Sequence, residues 1–212
     1  MADDPPRTLV PKTVEVPSSL RRAPFNQSRM LLVPAGFKIS VVARIPRARF
    51  IMPLATGACL VAQPSNGRIW VVWPQTNGMT SVSTLIDGLR YPQGMALHSI
   101  GNRLYLYVGE SNQISRFVIA RDGSSAGEKT VIVPDLPDSS SPELHGYYRH
   151  ELKNLVIGSN GHRLFVECQS ERYGKQSRSQ RHLSIRPRRQ ERQNLRPRHP
   201  QRRRTRVCCW DG

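Results

Sequence analysis

One pattern in the chain returns at long intervals, and that return limits the fold more than anything else in the sequence. Met52-Pro-Leu-Ala, then Gly57, Cys59-Leu-Val-Ala-Gln and Asn66-Gly-Arg-Ile-Trp-Val-Val make a first unit. Met95-Ala-Leu-His, then Gly101, Arg103-Leu-Tyr-Leu-Tyr-Val and Asn112-Gln-Ile-Ser-Arg-Phe-Val make a second, and Lys153-Asn-Leu-Val-Ile, Gly161 and Arg163-Leu-Phe-Val open a third. The matching leucines, Leu60, Leu104 and Leu164, stand 44 and 60 residues apart. Inside the units lie short Val- and Ile-rich alternating runs, over 37–43, 59–63, 68–73, 82–86, 103–108, 113–119, 129–133, 153–157 and 163–166. Gly, Asn, Asp, Ser and Pro separate them, which is the signature of many short antiparallel strands. No segment sustains a 3.6-residue apolar stripe, so the expected class is all-β with little helix. Four-stranded propeller blades take about 40–50 residues each, and the spacings fit blades whose connecting loops vary. About three such blades are expected, too few to close a ring.

The charge divides the chain. Of 32 Lys/Arg and 15 Asp/Glu, residues 1–167 hold 18 and 12 (+6) and residues 168–212 hold 14 and 3 (+11). A global charge of +17 suggests nucleic acid or another polyanion as partner, but most of it belongs to the final 45 residues. Three segments follow: an irregular, Pro- and Arg-rich lead-in over 1–30, a partial propeller over 31–167, and an Arg-rich, disordered tail over 168–212. No apolar run approaches the roughly 18–20 residues of a membrane span. Met1-Ala-Asp-Asp-Pro-Pro has none of the basic-then-apolar order of a signal peptide, so nothing in the sequence assigns a location. Cys59, Cys168, Cys208 and Cys209 provide neither a metal-binding spacing nor a disulfide framework.

Several phrases of the chain resemble the soluble, pyrroloquinoline-quinone (PQQ)-dependent sugar dehydrogenases, the glucose/sorbosone dehydrogenase group of six-bladed β-propellers. They are Leu32-Val-Pro-Ala-Gly-Phe-Lys-Ile, Arg47-Ala-Arg-Phe, Val61-Ala-Gln-Pro-Ser-Asn-Gly-Arg-Ile, Asp87-Gly-Leu-Arg-Tyr-Pro-Gln-Gly-Met-Ala, Leu104-Tyr-Leu-Tyr-Val-Gly-Glu-Ser-Asn-Gln-Ile, Val133-Pro-Asp-Leu-Pro and His150-Glu-Leu-Lys-Asn. They occur in the family's order over residues 31–166. The resemblance implies oxidation of an aldose or sorbosone-like sugar, with electrons passing through PQQ to an external acceptor. Members of the group are usually secreted or periplasmic, which contrasts with the N-terminus of this chain.

By the same resemblance His150 is the catalytic base, taking the proton of the anomeric hydroxyl as hydride leaves for the quinone. A neutral imidazole suits this role because its ordinary pKa of about 6.5 leaves it able to accept a proton near pH 7. The plain alternative is a surface-loop histidine beside His145. Gln93, in Tyr91-Pro-Gln-Gly-Met, stands where the family places a polar residue facing quinone and sugar; the alternative is a turn residue after Pro92. Lys153 and Asn154, at the start of the third unit, are candidates to meet the anionic cofactor, with a solvated strand end as the alternative. Glu110 and Asn112 have the oxygen ligands of a calcium loop, but two such residues are common in turns and no metal is assigned to them. In the family, the calcium loop and the Arg-Asn pair follow the third blade, and neither is identifiable in this chain.

The resemblance stops abruptly after Val166. When Arg198-His-Pro-Gln-Arg-Arg-Arg-Thr-Arg is written in arginine-rich codons and read one base later, it can give GIRNAVGL. The same shift turns Gln190-Glu-Arg-Gln-Asn-Leu-Arg-Pro into KNVKIYAR. The joined text ends in the family's Arg-Asn motif, so the expectation is a reading-frame change near Glu167 and a 212-residue product without dehydrogenase activity. Two other readings stand beside it. The tail could bind RNA or other polyanions through phosphate charge, although its two aromatics, Tyr173 and Trp210, serve base stacking poorly. The propeller could also be a non-enzymatic scaffold, because fold does not fix function.

Overall fold

In the computed structural model, residues 8–74, 80–136, 138–140, 153–158, 164–168 and 181–185 are described. They hold thirteen strands in four antiparallel sheets. A ribbon pairs β1 (Leu9–Thr13) with β2 (Met30–Pro34). The first blade is β3 (Phe50–Pro53), β4 (Cys59–Gln63), β5 (Arg68–Pro74) and β6 (Thr80–Ile86), side by side in chain order. The second is β7 (Met95–Ile100), β8 (Arg103–Gly109), β9 (Ile114–Ile119) and β10 (Thr130–Val133). A third sheet holds β11 (Lys153–Ile157), β12 (Leu164–Cys168) and β13 (Arg181–Ile185). Two one-turn 3-10 segments are the helical elements among the described residues. None of their helices is long and apolar enough to cross a membrane.

Alternation within each strand sorts side chains to two faces, and in the second blade both faces are covered. One face carries Met95, Leu106, Val108, Phe117 and Ile119 against Leu54, Leu60, Ala62, Ile69 and Val71 of the first blade. The opposite face carries Ala96, Tyr107 and Ile114 against Leu155 of β11. The inner strands β3, β7 and β11 touch in sequence, which is the arrangement of blades around an axis. Leu60, Ile69, Met95, Leu106 and Ile114 are fully buried in these seams. A buried Leu or Ile side chain contributes about 1.5–3 kcal/mol, so the seams hold the blades together.

The repeat survives with one correction of register. β4 and β8 each pass to the next strand through four residues, since Gln63 pairs with Arg68 and Gly109 with Ile114. Counted from those turns, Leu60 corresponds to Leu106; both are fully buried in the first seam, whereas Leu104 is only partly buried. β8 is two residues longer than β4, and a match made from the other end of the strands picks Leu104 instead.

Three further expectations change. Residues 37–43 alternate like a strand but meet no ladder, and Ser40 makes only an isolated bridge to Glu15. Inside the lead-in read as irregular, Leu9–Thr13 forms β1; its residues are mostly exposed, so the ladder stabilises it and no apolar alternation marks it. Within the tail read as unstructured, Arg181–Ile185 forms β13, in register with Leu164–Cys168. Apart from Cys168, which ends β12, the other tail residues lie outside the described set.

Candidate functional site

The axis-side end of the second blade is built from the segment entering β7 and the turn between β8 and β9. Pairing continues past the strand ends: Gly109 N–H donates to Gly94 O (2.8 Å), Gln93 N–H to Gly109 O (2.9 Å) and Ser111 N–H to Arg90 O (2.9 Å). These bonds hold Arg90–Gly94 beside Gly109–Ser111. Tyr91 adopts φ 52° and Pro92 is fully buried. A left-handed tyrosine is a strained position that its surroundings must enforce.

Gln93 is buried to 8% exposure, and its side-chain amide has no hydrogen-bond partner among the described residues. The buried glutamine at the end of β4 in the first blade is different. Gln63 donates from Nε2 to Pro46 O (2.8 Å) and accepts at Oε1 from Trp70 Nε1 (2.8 Å), so both ends of its amide are used in holding the blade. An amide both donates and accepts, and of these two only that of Gln93 is left to meet something else.

Lys153 opens β11 fully buried, with its backbone against Gly94 and Gly109. The start of β11 therefore lies against Gly94, the residue that follows Gln93, where the second and third blades meet. Asn154, the next residue along the strand, is exposed on the opposite face, and the alternation of β11 accounts for that difference. His150 lies outside the described residues.

Glu110 proves to be a structural carboxylate. It is fully buried and accepts from Arg90 N–H (2.7 Å), Gln113 Nε2 (2.9 Å), the Ser115 hydroxyl and Lys129 Nζ (2.7 Å). Burial pushes its carboxyl upward, but Lys129, Ser115, Arg90 and Gln113 together outweigh burial and leave it below the ordinary value. Asp138 is likewise held low: against burial it accepts from the Ser140 hydroxyl (2.6 Å) and Ser140 N–H (2.8 Å), with the Arg90 guanidinium 2.8 Å away. The sequence reading missed Arg90, Lys129 and Asp138, which bind the rim of the site. The one available signal was the acid at Glu110 inside a strand-turn-strand repeat, where the first blade has Pro64. Among the described residues no group of three His, Cys, Asp or Glu is placed to hold a metal ion.

No protein-family model matches the chain, and no curated protein matches it. Solved structures do. The chain is similar to the holo form of the pyranose dehydrogenase PQQ domain from Coprinopsis cinerea, with 17% identity and a TM-score of 0.53 over 65% of this chain and 32% of that one. The iodide and calcium structures of a Trichoderma reesei carbohydrate-active enzyme of family AA12 each show 19% identity over 58% of this chain and 30% of theirs, with TM-scores of 0.46 and 0.45. The chain thus spans about a third of the length of the PQQ domain it resembles. That likeness, with the sheet order and the stacked inner strands, makes the fold of this chain all-β and its sheets the blades of a β-propeller.

Proposed function

We propose that these blades are part of a quinoprotein oxidoreductase that oxidises an aldose or sorbosone-like sugar through PQQ and passes the electrons to an external acceptor. The observation that carries the reading is the open amide of buried Gln93, one residue before the Gly94 against which the backbone of buried Lys153 packs. PQQ is an anionic quinone, and a buried cation with an amide donor and acceptor is a fitting donor set for its carboxylates and carbonyls. Lys153 and Gln93 would hold the cofactor, whereas Asn154, exposed on the opposite face of β11, would not. When bound, the quinone supplies the two-electron acceptor that no side chain can provide. His150 would take the hydroxyl proton, and Gln93 would orient the sugar or the quinone carbonyl. The fold likeness to a PQQ domain supports the reading.

The test has two parts. PQQ titrated into the 212-residue chain, with calcium present, is expected to bind saturably, and Gln93→Ala to weaken binding about tenfold. Dye reduction with aldoses is expected to be absent from this chain. It should appear when the codons after Glu167 are read one base later, and disappear again with His150→Ala. A chain that binds no PQQ, or a reframed chain that binds it but oxidises no sugar, overturns the proposal.

A further inference from the structure

Gly94 and Gly109 sit opposite one another at the axis-side end of the second blade, joined by a backbone hydrogen bond of 2.8 Å. Neither has a positive φ, so any residue could adopt their backbone conformation. Glycine inside a strand costs roughly 0.5–1 kcal/mol relative to alanine, and the space around the pair shows what offsets that cost. A Cβ on Gly94 would overlap the Lys153 carbonyl oxygen and stand 2.7 Å from Asn154 Cα and 2.9 Å from Leu155 N. A Cβ on Gly109 would overlap the same carbonyl oxygen and stand 2.8 Å from Lys153 Cβ. Along the same face the side chains are Tyr105 and Tyr107 on β8 and Ala96 on β7. The face therefore carries no side chain at the two positions that meet the start of β11.

The geometry points to Gly94 and Gly109 as positioning residues: a side-chain-free seat onto which the backbone of β11 closes, fixing Lys153 at its depth. The atoms that would be struck are almost all backbone, so no rotamer change relieves an added methyl. The segment carrying His150 runs directly into β11, and the seat sets the point from which it departs. The consequence for cofactor binding rests on the PQQ reading above; the seat itself does not.

Hydrogen exchange and amine labelling of the full chain test the seat, with PQQ titration alongside. In Gly94→Ala and in Gly109→Ala, amides of residues 153–157 are expected to exchange at least about tenfold faster. Lys153 is expected to become reactive to an amine acylating reagent, while residues 59–73 of the first blade keep their protection. Gly67→Ala is the control, because its Cβ would overlap Leu89 O just as severely but far from β11. It should loosen residues 64–67 and 87–89 and leave 153–157 and Lys153 labelling unchanged. The two seat variants should also bind PQQ about tenfold more weakly. Unchanged exchange at 153–157 overturns the inference, and so does loss of protection over the first blade as well, since the damage would then not be local. A wild-type chain that binds no PQQ overturns the quinone reading alone, with the seat still decided by exchange and labelling.

Discussion

At the scale of single residues, the carboxylate of Glu110 shows how a conspicuous polar side chain can belong to the frame and not to the chemistry. In the sequence it stands in a loop with Asn112 and suggests an oxygen-ligand site; in the structure four donors occupy it. Its carboxyl is lowered in the folded chain, so it contributes stability that is complete above its ordinary value of 4.5 and is lost as pH falls through the lower folded value. Asp138, lowered from 3.8, acts in the same sense. Thermal melts between pH 6 and pH 3 should therefore show a falling melting temperature in acid, and Glu110→Gln should flatten part of that fall. Lys129→Met, which leaves the buried carboxylate without its cation, is expected to cost about 2–3 kcal/mol in urea unfolding at pH 7. That is below the 3–5 kcal/mol of a fully buried pair because Lys129 reaches solvent. Gln93 was legible because the motif around it is a strand-entry turn; its contrast with Gln63 was not, since only the fold shows which amide is already used. Lys153 was legible as a strand start, but its complete burial depends on glycines about 44 and 59 positions earlier in the chain.

Strands were legible where they carry two packed faces or a clear alternation. Cys59–Gln63, Arg68–Pro74, Arg103–Gly109, Ile114–Ile119 and Lys153–Ile157 match the runs read from sequence to within a residue. Phe50–Pro53 is too short to show a period and sits beside Arg47 and Arg49, and Leu9–Thr13 is held by its ladder partner alone. Residues 37–43 err in the opposite direction: alternation reports which sides of a chain are apolar but not whether another strand lies alongside. The packing of these elements gives a direct stability test. Leu106 is fully buried in the seam between the first two blades, and Leu106→Ala should cost about 2–5 kcal/mol. Leu104→Ala should cost clearly less, because Leu104 is only partly buried, and paired urea titrations will rank the two.

For the whole molecule, the second blade packs against a neighbour on each face, whereas the most exposed apolar side chains lie on the ribbon and at Ile51 of the first blade. Met30, Leu31, Leu32 and Ile51 are each at least half exposed. Clustered exposed apolar groups favour association, so light scattering should show assemblies that grow with concentration, and Leu32→Lys with Ile51→Lys should reduce them. The equivalence of the two turns has a different consequence, for how such a gene can change. Gln63 occupies the place of Gly109, and Pro64 that of Glu110. A recombination event that copied the first blade over the second would preserve the four-strand order and the core leucine. It would also put a glutamine where β11 must touch bare backbone and remove the acid that gathers Arg90 and Lys129. The blades look alike as text, yet each has a fixed address in the ring, and shuffling them would be paid for in assembly.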